Sequence, residues 1–153
     1  MIPTRVWAIS DVHIDYQENF EQLVSFAGAG HRQDTLILAG DATDRLDRLE
    51  ALFQALTAGF RQGLFVPGNH ELWVRRSGEP DSLAKLEAIH ELCRTTGVRT
   101  EPVLVGEYHK VWLVPLLSWY DDKDQPEHSL FLDKDYAEDR TDDLWGDFIH
   151  ARW

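Results

Sequence analysis

One cysteine in 153 residues leaves no internal disulfide to be made. That fits a reducing compartment and predicts a cytoplasmic location, with Cys93 a small core residue. No apolar run approaches the roughly 20 residues that span a bilayer, which argues against a membrane protein. Arg5-Val6-Trp7-Ala8-Ile9 is too short for a signal peptide and runs straight into charged residues. Positive charge is scarce too. Fifteen Lys and Arg stand against 27 Asp and Glu, a net charge of −12 that repels polyanions and excludes nonspecific nucleic-acid binding. The excess gathers late: Asp121 to Asp147 holds eleven acidic residues and three basic ones. A small phosphate ester remains admissible, because bound divalent cations reverse the sign locally.

What is present is an ordinary globular composition, 43% hydrophobic and 27% charged, enough for one domain over residues 1–153. Arg5 to Ser10 reads as a first strand, apolar on both faces as a central parallel strand is. A helix follows with Asn19 as N-cap and Gln22 as capping-box partner, its face formed by Phe20, Leu23, Val24 and Ala27. Thr35 to Ala39 is the second strand. A second helix spans about Asp44 to Phe60, with Leu46, Leu49, Phe53, Leu56 and Phe60 as its stripe. Leu64-Phe65-Val66 is the third strand. Beyond it come a helix from Ser82 to Thr95, with Leu83, Leu86, Ile89, Leu92 and Cys93 on one face, and a hairpin of Val103–Val105 with Val111–Val114. An acidic segment and a helix starting near Asp142 end the chain. The fold class is therefore α/β, a β-α-β-α-β parallel core followed by a helix, a hairpin and an acidic segment.

Each core strand ends in a polar cluster: Asp11-Val12-His13, Gly40-Asp41-Ala42-Thr43-Asp44, and Gly68-Asn69-His70-Glu71. Asp11 lies 30 residues before Asp41, and Asp41 lies 28 before Asn69, one strand–helix–strand unit each time. In a parallel sheet all three clusters fall at the carboxyl edge, where open α/β sheets place ligands. Asp11, His13, Asp41 and Asn69 offer two carboxylates, an imidazole and an amide oxygen, donors suited to Mn, Fe, Zn, Ni or Mg. Asp41, on the middle strand, could bridge two ions, with His70 beside them as an acid or a stabiliser of developing charge. Taken one at a time, these clusters also read as turns or caps; their order and common spacing carry the metal reading.

These three blocks resemble the first signature blocks of the calcineurin-like metallophosphoesterases. The resemblance implies a four-layer α/β/β/α fold around two divalent metal ions, about 3.5–4 Å apart as is usual for paired metals. It implies that Asp11 and His13 hold the first metal, Asp41 bridges, Asn69 holds the second, and His70 is the catalytic histidine. Asp44 and Glu71 would orient the neighbouring histidines. The implied reaction is hydrolysis of a phosphate mono- or diester, on a small phosphoester or a phosphoprotein. Trp73, Arg75 and Arg76 follow closely and could stack on a base or grip a phosphate, or form a solvated rim.

The family's two later blocks, a single histidine and a Gly-His-x-His, have no counterpart here. His31, His90, His109, His128 and His150 remain; none lies in a His-x-His pair, and none is assigned to metal. His31 and His90 are expected at the surface. The expectation is a domain truncated at its C-terminus, holding the first half of a two-metal site; a short natural protein that has lost the site is the other account. The function expected second is a non-catalytic scaffold or protein-interaction module. Trp119, Trp145 and Trp153 and an uncovered sheet face would favour its self-association.

Overall fold

A computed structural model describes residues 5–119. Three strands, β1 (Val6–Ile9), β2 (Thr35–Ala39) and β3 (Gln62–Val66), form a parallel sheet in the order β1-β2-β3. Trp7 pairs with Leu36, and Leu36 with Gly63, so the strands end level and their trailing loops share one edge. The crossover helices are α1 (Gln17–Gly28) and α2 (Leu46–Gly59), and α3 (Ser82–Thr96) follows β3. Helix α2 packs between α1 and α3.

Alternation sorts the strand residues between two faces. Leu36, Leu38 and Phe65 join the core with Leu49, Leu52, Phe53, Leu56 and Ile89 from the helices. Ile37 and Leu64, paired across the sheet, point the other way and meet Val103, Val105 and Leu113. Those three belong to β4 (Val103–Val105) and β5 (Val111–Leu113), the expected antiparallel hairpin. The layers described are thus helices, parallel sheet and hairpin. Arg99 lies beside β3, its N–H and C=O bonded to Gly63 and Phe65.

Several expectations are corrected. Among the described residues β1 lies at the edge of the sheet, and Val6 is 45% exposed. Helix α1 starts at Gln17 and Asn19 is not its cap, because the chain is already turning at Tyr16, whose N–H bonds the His13 carbonyl. Helix α2 starts at Leu46, after Asp44 has been drawn into an ion pair. On α3 the buried stripe is Ser82, Lys85, Ile89 and Cys93, whereas Leu83 is 56% exposed. Its ends are as expected, with Asp81 capping Ala84 N–H at 2.8 Å and Gly97 left-handed at φ 80°.

His31 is buried rather than superficial. Its ring stacks on Phe60 at 4.9 Å, and its Nδ1 lies 3.2 Å from the Asp34 carboxylate, which also accepts from Arg5 and Trp7. His90 and His109 are exposed. The acidic segment from Asp121, the helix expected near Asp142, and His128, His150, Trp145 and Trp153 lie outside the described residues. Among the described residues, no helix is long and apolar enough to cross a membrane.

Candidate active site

Among the described residues, three other than glycine have left-handed backbone: Asp11 at φ 54°, His13 at 40° and Asp41 at 54°. Such conformations are uncommon for residues with a Cβ and persist only where their surroundings enforce them. Here the enforcement is a backbone ladder that continues past the sheet. Asp11 N–H bonds Gly40 C=O, His13 N–H bonds Asp41 C=O, and Ile14 N–H bonds Ala42 C=O. The loops after β1 and β2 therefore run side by side. Asn19 adds a clasp, its amide donating to the carbonyls of Val12 and His13 at 2.9 and 3.3 Å.

The third loop closes against the second. A Cβ on Gly40 would run into the backbone of Gly68, and one on Gly68 into the Asp41 carboxylate. Both positions need glycine because two backbones touch there. Glu71 locks this approach. It is 0% exposed, and its Oε1 accepts from Ala42 and Thr43 N–H at 2.5 and 3.1 Å. Its Oε2 accepts from Asp41 and Gly68 N–H at 3.0 and 2.7 Å. Burial raises the Glu71 carboxyl above the usual range, and these four donors oppose the rise. Glu71 thus holds loop backbones, where orientation of the histidines was expected.

His70 opens a 3-10 turn, His70–Leu72, and its N–H bonds the Asp41 carboxylate at 3.3 Å. The rings of His13 and His70 meet edge to face, 4.9 Å between centroids. On its other side His70 stacks on Trp73 at 3.8 Å. The guanidinium of Arg75 lies over Trp73 and pairs with Asp44 at 2.6 Å. Arg76 reaches Asp15 at 3.4 Å and Asp44 at 3.5 Å. Trp73, Arg75 and Arg76, expected as possible substrate contacts, thus also have partners within the chain. Asp44 meets these arginines, and through Arg75 and Trp73 it is linked to His70.

The structure thus brings Asp11, His13, Asp41, Asn69 and His70 to one sheet edge. The donor types fit a divalent cation. Among the described residues, however, no group of three or more His, Cys, Asp or Glu is gathered closely enough to hold one.

Lys85 went unnoticed in the sequence. It is 1% exposed, and its ammonium donates to the carbonyls of Asp44 and Trp73. Burial lowers its pKa, opposed by the carboxylates of Asp44, Glu79 and Glu71. A signal existed: counting back from Cys93 and Ile89 in steps of four lands on Lys85, in line with the apolar stripe.

Comparison with known proteins places the fold in a family. The chain is 30% identical over 129 residues to the acyl-carrier-protein phosphodiesterase PptH of Mycobacterium tuberculosis, a match covering 80% of this chain and 39% of the relative. It is similar to the crystal structure of the phosphopantetheinyl hydrolase PptH from that organism, with TM-score 0.64 and 28% identity over 75% of this chain and 43% of the other. It therefore spans about two fifths of the length of these relatives. The sequence profile of the calcineurin-like phosphoesterases, hydrolases that use divalent metal ions, matches residues 4–152. With three strained strand ends at one edge and that match along nearly its whole length, the chain belongs to the calcineurin-like phosphoesterase family.

Proposed function

We propose that this chain carries the first half of a dinuclear-metal site that hydrolyses phosphodiesters. The observation that supports it most is the left-handed backbone of Asp11, His13 and Asp41, held at one sheet edge by the ladder between their loops. Asp11, His13, Asp41 and Asn69 would hold the ions. When bound, two cations supply an activated nucleophile and positive charge against the phosphoryl oxygens. His70 stands beside this edge with its ring against His13. In the reaction a P–O ester bond breaks as oxygen from water joins phosphorus, and His70 gives a proton to the departing oxygen. The diester preference follows the name of the relative, an acyl-carrier-protein phosphodiesterase. Arg76, half-exposed although paired with Asp15 and Asp44, would meet the substrate's charge.

The test supplies the full chain with Mn²⁺ and bis-p-nitrophenyl phosphate, with p-nitrophenyl phosphate for comparison. Asp41→Asn and His70→Ala each lower kcat by about 10² or more, the usual contribution of a positioned acid or base. Turnover indifferent to both substitutions refutes the assigned roles.

A second reading, a non-catalytic interaction module, draws on β5 and the stretch after it, where Val111, Trp112, Val114, Leu116 and Leu117 are exposed among the described residues. Calorimetric titration with Mn²⁺ separates the two: saturable binding of two ions per chain goes against it.

A further inference from the structure

Lys85 occupies a position in the buried stripe of α3 where an apolar side chain would pack at lower cost. An ammonium taken out of water is costly unless it gains specific partners. Its partners are the carbonyl oxygens of Asp44 and Trp73, 41 and 12 residues away in sequence. These two carbonyls belong to the two loops that build the candidate site. Asp44 ends the loop that Asp41 begins, and Trp73 follows the 3-10 turn that His70 begins.

The side chains above this ammonium repeat the tie. Asp44 pairs with Arg75 at 2.6 Å, Arg75 lies 4.6 Å from the Trp73 ring centre, and Trp73 stacks on His70 with 28° between the planes. Glu71 joins the same loops, but its four bonds go to backbone N–H groups. The imidazole of His70 rests on the indole, and the indole is carried by the carbonyl that Lys85 holds.

We propose that Lys85 is a positioning residue for His70. By fixing the Trp73 carbonyl to that of Asp44, it sets the indole plane. That plane fixes where the ring nitrogens of His70 point along the sheet edge. Lys85 itself touches neither substrate nor metal. The catalytic meaning of the tie rests on the role proposed above for His70; the tie itself does not.

The experiment reads the ring of His70 directly. The full chain is labelled with ¹³C at histidine Cε1 and observed with a chelator at about pH 8.5, where an ordinary imidazole is neutral. The His70 signal is the one lost in His70→Ala. The indole face shifts it upfield of the signals of exposed His90 and His109. Lys85→Met keeps the length of the side chain and removes its donors, and the His70 signal moves toward the exposed positions. Ile89→Ala, one turn along the same buried stripe, loses packing but leaves the signal in place. A signal unmoved in Lys85→Met, or moved equally in Ile89→Ala, overturns the proposal. Should Lys85→Met fail to fold, Lys85→Gln keeps one donor group and shows a smaller shift in the same direction; no shift there overturns it equally. Diester turnover of the same variants reports separately on His70. A displaced signal with unchanged turnover supports the tie and goes against the catalytic role, so the two failures are distinguishable.

Discussion

Replacing Glu71 by glutamine changes one oxygen into an amide nitrogen and leaves the shape of the side chain intact. The native carboxylate accepts four backbone N–H groups, two on each oxygen. Glutamine retains one oxygen, which serves best against the buried N–H groups of Ala42 and Thr43. Its NH₂ then faces the N–H groups of Asp41 and Gly68, donor against donor. Two hydrogen bonds to a charged acceptor are lost, each worth about 1.5–3 kcal/mol. Asp41 and Gly68 are only half-buried and recover part of this from water, and the neutral amide avoids the cost of burying charge. The net loss is about 2–3 kcal/mol, a large share of the roughly 5–15 kcal/mol that a domain possesses. Urea unfolding followed by circular dichroism would show the midpoint falling by about 0.7–3 M at unchanged m, for m near the usual 1–3 kcal/mol/M. The pH dependence supplies a second check with a definite sign. Burial raises the Glu71 carboxyl above its unfolded value of 4.5, so the proton binds more tightly in the folded chain. The native protein therefore gains stability relative to Glu71→Gln as pH falls through the folded value toward 4.5. A midpoint within about 0.3 M of native, at equal m, would refute the four-donor account.

Three further outcomes follow from the same geometry. Gly68→Ala drives a methyl group into the Asp41 carboxylate and costs about 1–3 kcal/mol, visible as a lower urea midpoint; an unchanged midpoint would mean that the loops approach less closely. The Cys93 thiol, pushed up to about 12 by burial, stays protonated and resists thiol reagents near neutral pH in the folded chain, reacting only at the rate of opening. Native-like protection lost without urea would contradict its burial. Finally, Arg5, Trp7 and His31 hold the Asp34 carboxyl well below its model-peptide value of 3.8. The stability this gives is complete above that value and is lost as pH falls below about 4. Unfolding free energy in that range falls more steeply for the native chain than for Asp34→Asn, and parallel slopes would remove the assignment.

The sequence alone determined the core topology and the edge that carries the site. A parallel sheet fixes direction, so polar clusters recurring every strand–helix–strand unit must share one edge, whatever the packing above it. That argument placed Asp11, His13, Asp41, Asn69 and His70 together and needed no side-chain geometry. What the sequence left undetermined depends on contacts between residues far apart in the chain. Strand order is one case: β1 and β2 are both apolar runs, and only pairing shows that β2 lies between β1 and β3. Side-chain partners are another. Glu71 and Asp44 were legible as polar residues near the site, but whether they meet imidazoles, arginines or backbone N–H groups is decided by the third loop closing on the second. Arg75 read as a phosphate contact or part of a solvated rim, and its partner 31 positions away came only with the fold. Lys85 was the least legible, because a lysine in a helix is ordinarily solvated. Only tertiary structure turns it inward, where two loops bring their carbonyls to one ammonium and so repay its removal from water.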